Sequence, residues 1–258
     1  MGEYSLVEKE GHLTIITINR PDVMNALHAP AHAEFSAIFD DFVSDPDQWV
    51  AIITGAGDRA FSAGNDLKYQ ASGGDMSMRP ASGFAGITAR FDNPKPVIAA
   101  VNGVAMGGGF EIALACDLII ASENAIFALP EPRVGLAALA GGVHRLPRQI
   151  GMKRALGMML TGRRVSAEEG EHLGFVNEVV PAGEALQGAK AWAEQILECA
   201  PLSVRASKEA AMQGMDAPSL EAAMAGRYEQ VSLMQKSTDF IEGPLAFSEK
   251  RPPNWQGK

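Results

Sequence analysis

The chain has 258 residues, enough to bury a core without the disulfide or metal staples of a miniprotein. Hydrophobic residues make up 47% and charged residues 21%, which fits a globular protein and excludes a disordered or fibrous one. With 31 acidic against 22 basic side chains the net charge is -9, a balance that repels a phosphate backbone and argues against nucleic acid as the main ligand.

The N-terminal stretch carries Glu3, Glu8 and Glu10 and no basic segment ahead of an apolar one, so no secretory signal is expected and the cytoplasm is the default. Residues 4–8 and the β-branched run 12–18 predict a hairpin. Residues 30–44 space Phe35, Ile38, Phe39, Phe42 and Val43 at helical intervals, and Asp45-Pro46 ends that helix. Residues 50–54 predict the next strand, and 97–101 and 118–121 are apolar throughout, as expected of strands covered on both faces. The segment between the last two suits a crossover helix, so this half is expected to build a mainly parallel sheet from βαβ units. Asn102, four glycines, Glu111 and Asp117 interrupt the longest apolar stretch, 97–120, which excludes a bilayer span.

Beyond about Leu146 helical patterns follow one another at 152–161, 166–172, 186–199, 202–213, 220–234 and 238–249. Ser166 and Glu169 have the spacing of a capping box. No Ser/Gly linker separates the halves, so one unit is expected: an αβ core over 1–195 with a helical extension over 196–258. Residues 72–86, rich in glycine and methionine, predict a loop of the kind that often carries specificity. Cys116 and Cys199, each beside an alanine, are expected to be small core residues in a reducing compartment.

Three motif matches fail on inspection. Gly55-x-Gly57-x-x-Ala60 follows a strand, but no helix start follows it as a dinucleotide site requires. Ser62 has Ala60 where a nucleophile elbow needs glycine. The histidines lack metal-ligand spacing, and His28 and His32, four apart, are expected on the polar face of a helix. More specific is Gly107-Gly108-Gly109, which follows a buried strand and opens a helix. Its unpaired N–H groups are unshielded by side chains and form a place to hold an oxygen. Glu111 falls in the first turn of that helix, where compensation of the helix dipole is an equally good account of it. Glu131 follows a short apolar segment, and the turn 61–68 offers a second set of backbone donors.

Taken in order, these segments resemble the enoyl-CoA hydratase/isomerase (crotonase) family over nearly the whole chain: INRPDVMNAL at 18–27, AIITGAGDRAFSAGNDLK at 51–68, KPVIAAVNGVAMGGGFEIALACDLIIA at 95–121, FALPE at 127–131 and FSEKR at 247–251. The resemblance implies an α/β fold, a spiral of ββα units with a helical C-terminal region that forms trimers or dimers of trimers. It implies a hydro-lyase acting on the C2=C3 bond of a 2-enoyl-CoA thioester, with no metal or redox cofactor and with coenzyme A as the carrier part of the substrate. By the same resemblance Glu111 and Glu131 are the catalytic pair, and the Asn65 and Gly108 amides form an oxyanion hole. Ala26, Ala63, Asp66, Leu67, Lys68, Phe247 and Lys250 contact CoA, the last two in a neighbouring subunit. Within the family, IEGPLAFSEKR and GGVHRLPR resemble the carnitinyl-CoA dehydratase branch, although Leu139 stands where that branch carries an aspartate. The competing reading from another class is a non-catalytic relative that binds acyl-CoA or RNA.

Overall fold

The computed structural model describes residues 2–75 and 80–258; residues 76–79 of the predicted specificity loop therefore lie outside the described residues. Strands β1 (Ser5–Glu10) and β2 (Leu13–Ile18) form the expected antiparallel hairpin, and α1 (Ala29–Ser44) follows. Each of the next three passes of the chain lays one long and one short strand. These are β3 (Val50–Gly55) with β4 (Ala60–Ser62), β5 (Val97–Val101) with β6 (Val104–Met106), and β7 (Leu118–Ser122) with β8 (Ile126–Ala128). Helix α2 (Leu67–Ala71) follows β4, and α3 (Gly108–Ala115) follows β6.

Helices α4 (Gly142–Ile150) and α5 (Met152–Thr161), strand β9 (Val165–Ser166), helix α6 (Ala167–Leu173), strand β10 (Glu178–Val180) and helix α7 (Ala185–Leu197) complete the strand-bearing part. Helices α8 (Pro201–Met215), α9 (Leu220–Met224), α10 (Glu229–Met234) and α11 (Asp239–Glu249) end the chain. The long strands form a sheet of order β1-β2-β3-β5-β7-β10 and the short ones a sheet of order β4-β6-β8-β9. This is the α/β spiral of two-strand turns that the family resemblance implies. Among the described residues, no helix is long and apolar enough to cross a membrane.

The apolar strands have a packing reason. Side chains alternate between faces, and in the large sheet both faces are covered. Ile52, Ile98 and Ile120 pack on Ala185, Ala189 and Ala193 of α7, while Ile53, Ala99 and Ala121 join Phe35 and Phe39 of α1 in the larger cluster. Alanine at every fourth position lets α7 approach the sheet closely. A Cβ on Gly188 of that helix would lie 2.9 Å from Val180.

Four features of the elements depart from the sequence expectations, apart from the histidines of α1 described below. The second sheet was not anticipated, because strands of two or three residues are too short to show a period. The expected helix 220–234 is broken into α9 and α10, where the Tyr228 hydroxyl donates to the Ala223 carbonyl at 2.5 Å. Cys199 is exposed and only Cys116 is buried. Ser166 does cap α6 by accepting from Glu169 N at 3.2 Å, but the Glu169 carboxylate turns to Arg163 at 2.7 Å instead of closing the box.

Candidate active site

Strands β4 and β6 pair in parallel, Ala60 beside Val104 and Ser62 beside Ala105, so the turns that leave them lie side by side. Gly64, in the first turn, has φ +87°; a Cβ there would sit 2.6 Å from the Met106 carbonyl oxygen and 2.8 Å from Gly108 N. Only glycine allows the two turns to touch at that distance. Gly64 O accepts from Leu27 N, and Asp66 N donates to Leu27 O, each at 2.8 Å. Asn65 lies between them, so its own N–H faces the other side of the strand. Gly108 opens α3, and its N–H has no helical carbonyl four residues earlier to serve.

Glu111 lies in the first turn of α3 and is 3% exposed. Its Oε1 accepts from Gly142 N at 2.9 Å. That approach requires glycine at the start of α4, where a Cβ would meet Ala138 at 2.9 Å and Glu111 Oε1 at 3.1 Å. Glu131 begins the single 3-10 turn after β8. Its Oε1 lies over the helix N-cap, 2.9 Å from where a Cβ on Gly107 would be, and its Oε2 is buried without a hydrogen-bond partner. The two carboxyls therefore converge on the N-terminal end of one helix.

Burial dominates their electrostatics. It pushes the Glu111 carboxyl up to about 7, opposed by the Gly142 N–H and reinforced by the charge of Glu131. Burial also raises Glu131. Arg145 of α4, its guanidinium 5.6 Å from the Phe91 ring centre, pulls Glu111 back down weakly.

The residues that the resemblance assigns to CoA divide into two groups. Ala26, Ala63, Asp66, Leu67 and Lys68 cluster around the first turn. The Ala26 carbonyl accepts from the Arg20 guanidinium, which also pairs with Asp66 at 3.1 Å. Asp66 caps α2 by accepting from Tyr69 N at 3.1 Å. Burial alone would raise the Asp66 carboxyl, but that N–H and Arg20 hold it below its ordinary value. Ala63 is half-buried, its N–H bonded to the Met24 carbonyl, and Leu67 and Lys68 are exposed on α2. Phe247 and Lys250 lie apart from this group, on α11 and its C-cap. The hydrogen bonds of that helix run to the C-terminal tail, from Gln256 and Gly257 to Asp239 at 2.8 Å each.

Sequence reading missed Arg20, Tyr69 and Gly142. The only signal for Gly142 was the pair Gly141-Gly142, and its partner stands 31 residues away. The expectation that His28 and His32 lie on a polar face is overturned, for they are 8% and 0% exposed. The start of α1 is covered on one side by Tyr4 and Tyr69, whose ring centres lie 4.7 and 5.0 Å from that of His28, and on the other by Phe84.

Comparison with known proteins agrees with this architecture. Residues 8–258 match the family model described as enoyl-CoA hydratase/isomerase. The chain is 44% identical to a carnitinyl-CoA dehydratase of Escherichia coli K12, with all of both proteins covered. It superposes on the crystal structure of an enoyl-CoA hydratase from Mycobacterium tuberculosis H37Rv with a TM-score of 0.91 at 38% identity, and on a carnitinyl-CoA hydratase from Mycobacterium avium with 0.79 at 43%, each over the full length of both chains. Matched along nearly its whole length in sequence and in fold, the chain belongs to the enoyl-CoA hydratase/isomerase family.

Proposed function

We propose that the protein is a hydro-lyase that adds water to, or removes it from, the C2=C3 bond of a 2-enoyl-CoA thioester. The observation that carries this reading is the convergence of two carboxyls, the buried Glu111 and the half-buried Glu131, beside the turns that present the Asn65 and Gly108 amides. Those N–H groups donate hydrogen bonds to the thioester oxygen as negative charge develops on it, each stabilising the enolate-like transition state by roughly 3–4 kcal/mol. The polarised C3 is then open to attack. Glu111 as carboxylate takes a proton from water while the water oxygen bonds to C3, and Glu131 as carboxylic acid delivers a proton to C2. Return of one proton from Glu111 to Glu131 resets the pair, and dehydration runs through the same steps in reverse.

The assignment of roles follows the surroundings. Glu111 receives an N–H on Oε1, which favours an anion, whereas Glu131 has a buried oxygen that no donor satisfies. Two neighbouring carboxyls, both raised by burial, titrate jointly. The test is loss of enoyl absorbance from crotonyl-CoA. Its rate is expected to rise with pH through about 7, as Glu111 ionises, and to fall again as the second proton leaves the pair. A flat profile across that range would reject the assignment.

The same raised carboxyl has a cost in stability. The folded protein holds a proton on Glu111 that the unfolded chain releases, so between pH 4.5 and about 7 stability declines as pH rises, by about 3 kcal/mol in the limit. Glu111→Gln keeps an acceptor for Gly142 N–H but cannot ionise. The variant is expected to resist urea better than the wild type at pH 8, with the gap closing below pH 4.5. Equal stability at both ends would mean that the carboxyl is not desolvated.

A second reading, that the substrate is a carnitine thioester, is favoured by the 44% identity to carnitinyl-CoA dehydratase. Leu139, 77% exposed on the loop before α4, offers no charge to a trimethylammonium group, and an uncharged acyl chain fits it better. Crotonyl-CoA is therefore expected to be turned over faster than crotonobetainyl-CoA, and the reverse order of kcat/KM would establish the second reading. The proposal places the enzyme in the cytoplasm. It makes the assembly a homotrimer or dimer of trimers that covers the exposed Phe240, Ile241 and Phe247 of α11, bringing Phe247 and Lys250 to a neighbour's nucleotide.

A further inference from the structure

His32, Ser36 and Asp40 stand at four-residue intervals on α1 and share one face of it. Each holds part of the segment 82–90. His32 Nδ1 accepts from Ala85 N at 3.1 Å, Ser36 Oγ bonds Ser82 Oγ at 2.7 Å, and Asp40 pairs with Arg90 at 2.7 Å. Arg90 in turn donates to the Gly86 carbonyl at 2.8 Å. The turn so pinned has φ +83° at Gly83, +50° at Ala85 and +66° at Gly86. Ala85 is a side-chain-bearing residue in the left-handed region, a conformation that persists where the surroundings enforce it.

What this turn presents is the ring of Phe84, 8% exposed. One side lies against the His32 imidazole, with ring centres 4.2 Å apart. The tip meets Gly108, where a Cβ would come within 2.6 Å of Phe84 Cζ. Gly108 lacks a side chain to anchor it and sits in the first turn of a helix. The ring fills the space that such a side chain would occupy.

We infer that Phe84 is a positioning residue, a buttress that keeps the Gly108 amide aimed at the thioester oxygen, and that His32 holds the buttress through Ala85. This rests on the hydro-lyase reading, which is what gives the Gly108 N–H its task. The polarity of the hydrogen bond matters. His32 Nδ1 is the acceptor, so its proton is on Nε2, and an asparagine Oδ1 can accept the same N–H.

The experiment pairs crotonyl-CoA turnover with the ultraviolet band of a bound dienoyl-CoA thioester, which moves to longer wavelength as its carbonyl is polarised. Phe84→Ala and His32→Ala are expected to lower kcat by about 10- to 100-fold through misplacement of the donor. KM should change by less than about threefold, and most of the band shift should be lost. Phe84→Leu, which keeps bulk, and His32→Asn, which keeps the acceptor, are expected to restore most of both signals. Folded alanine variants with wild-type kcat and wild-type band shift overturn the inference. Should Phe84→Ala not fold, His32→Ala and its rescue by His32→Asn decide. A wild-type protein without the band shift would remove the oxyanion reading itself, whereas a shift that survives in the variants removes the buttress alone.

Discussion

Glu131→Gln is expected to lower kcat for crotonyl-CoA by about 10²- to 10⁴-fold, the range for loss of a positioned acid or base. The fold and KM should be nearly unchanged. The reason is that Glu131 Oε2 is buried without a partner, so the near-isosteric amide breaks no bond made by that oxygen and removes the proton the acid can give. Glu111→Gln is expected to lose as much, but its Gly142 bond survives and the protein gains stability at alkaline pH. The double variant should be little slower than either single one, because the two groups act as a unit and their effects do not add. Stopped assays at high enzyme concentration measure all three. Wild-type turnover in either single variant would reject the pair, and a retained rate in Glu131→Gln alone would move the acid elsewhere while leaving Glu111 as the base.

How far the site was legible in the sequence depended on how local its parts are. Gly107–Gly109 and Glu111 are neighbours at a strand-to-helix junction, so spacing alone marked a place to hold an oxygen but left Glu111 equally well explained by the helix dipole. Glu131 carried no meaning until the ordered family segments framed it, since an isolated loop carboxylate is ordinary. The amide that engages Glu111 comes from Gly142, 31 residues later, and the turn that buttresses Gly108 is held by His32, 53 residues before Ala85. Such links are set by tertiary packing and leave no period. His28 and His32 mislead for a related reason: their spacing fits a polar stripe, but the turns beside α1 cover it. The large sheet was visible because five apolar residues in succession demand cover on both faces, whereas the small sheet that sets the turns after β4 and β6 side by side consists of strands too short to declare themselves.

Gly64→Ala is expected to reduce kcat by about 10³-fold, near the upper end for loss of an oxyanion donor, and to destabilise the fold by roughly 2–4 kcal/mol from left-handed strain and overpacking together. The added methyl would lie 2.6 Å from the Met106 carbonyl and 2.8 Å from Gly108 N. Both are backbone atoms, which cannot swing aside as a side chain would. Relief requires the Gly64 turn to move away from the start of α3, and that motion separates the Asn65 amide from the Gly108 amide. Gly57 supplies the contrast: its φ is +79°, but the nearest atom to a Cβ there is on Pro21 at 3.8 Å. Gly57→Ala should therefore lose only about 1 kcal/mol and keep full kcat. Thermal unfolding and steady-state kinetics on the two variants separate backbone strain, which both share, from displacement of the donors, which only Gly64→Ala suffers. A Gly64→Ala enzyme that is destabilised yet turns over at the wild-type rate would place the oxyanion donors elsewhere, because the methyl would then have parted the two turns without harm to the reaction.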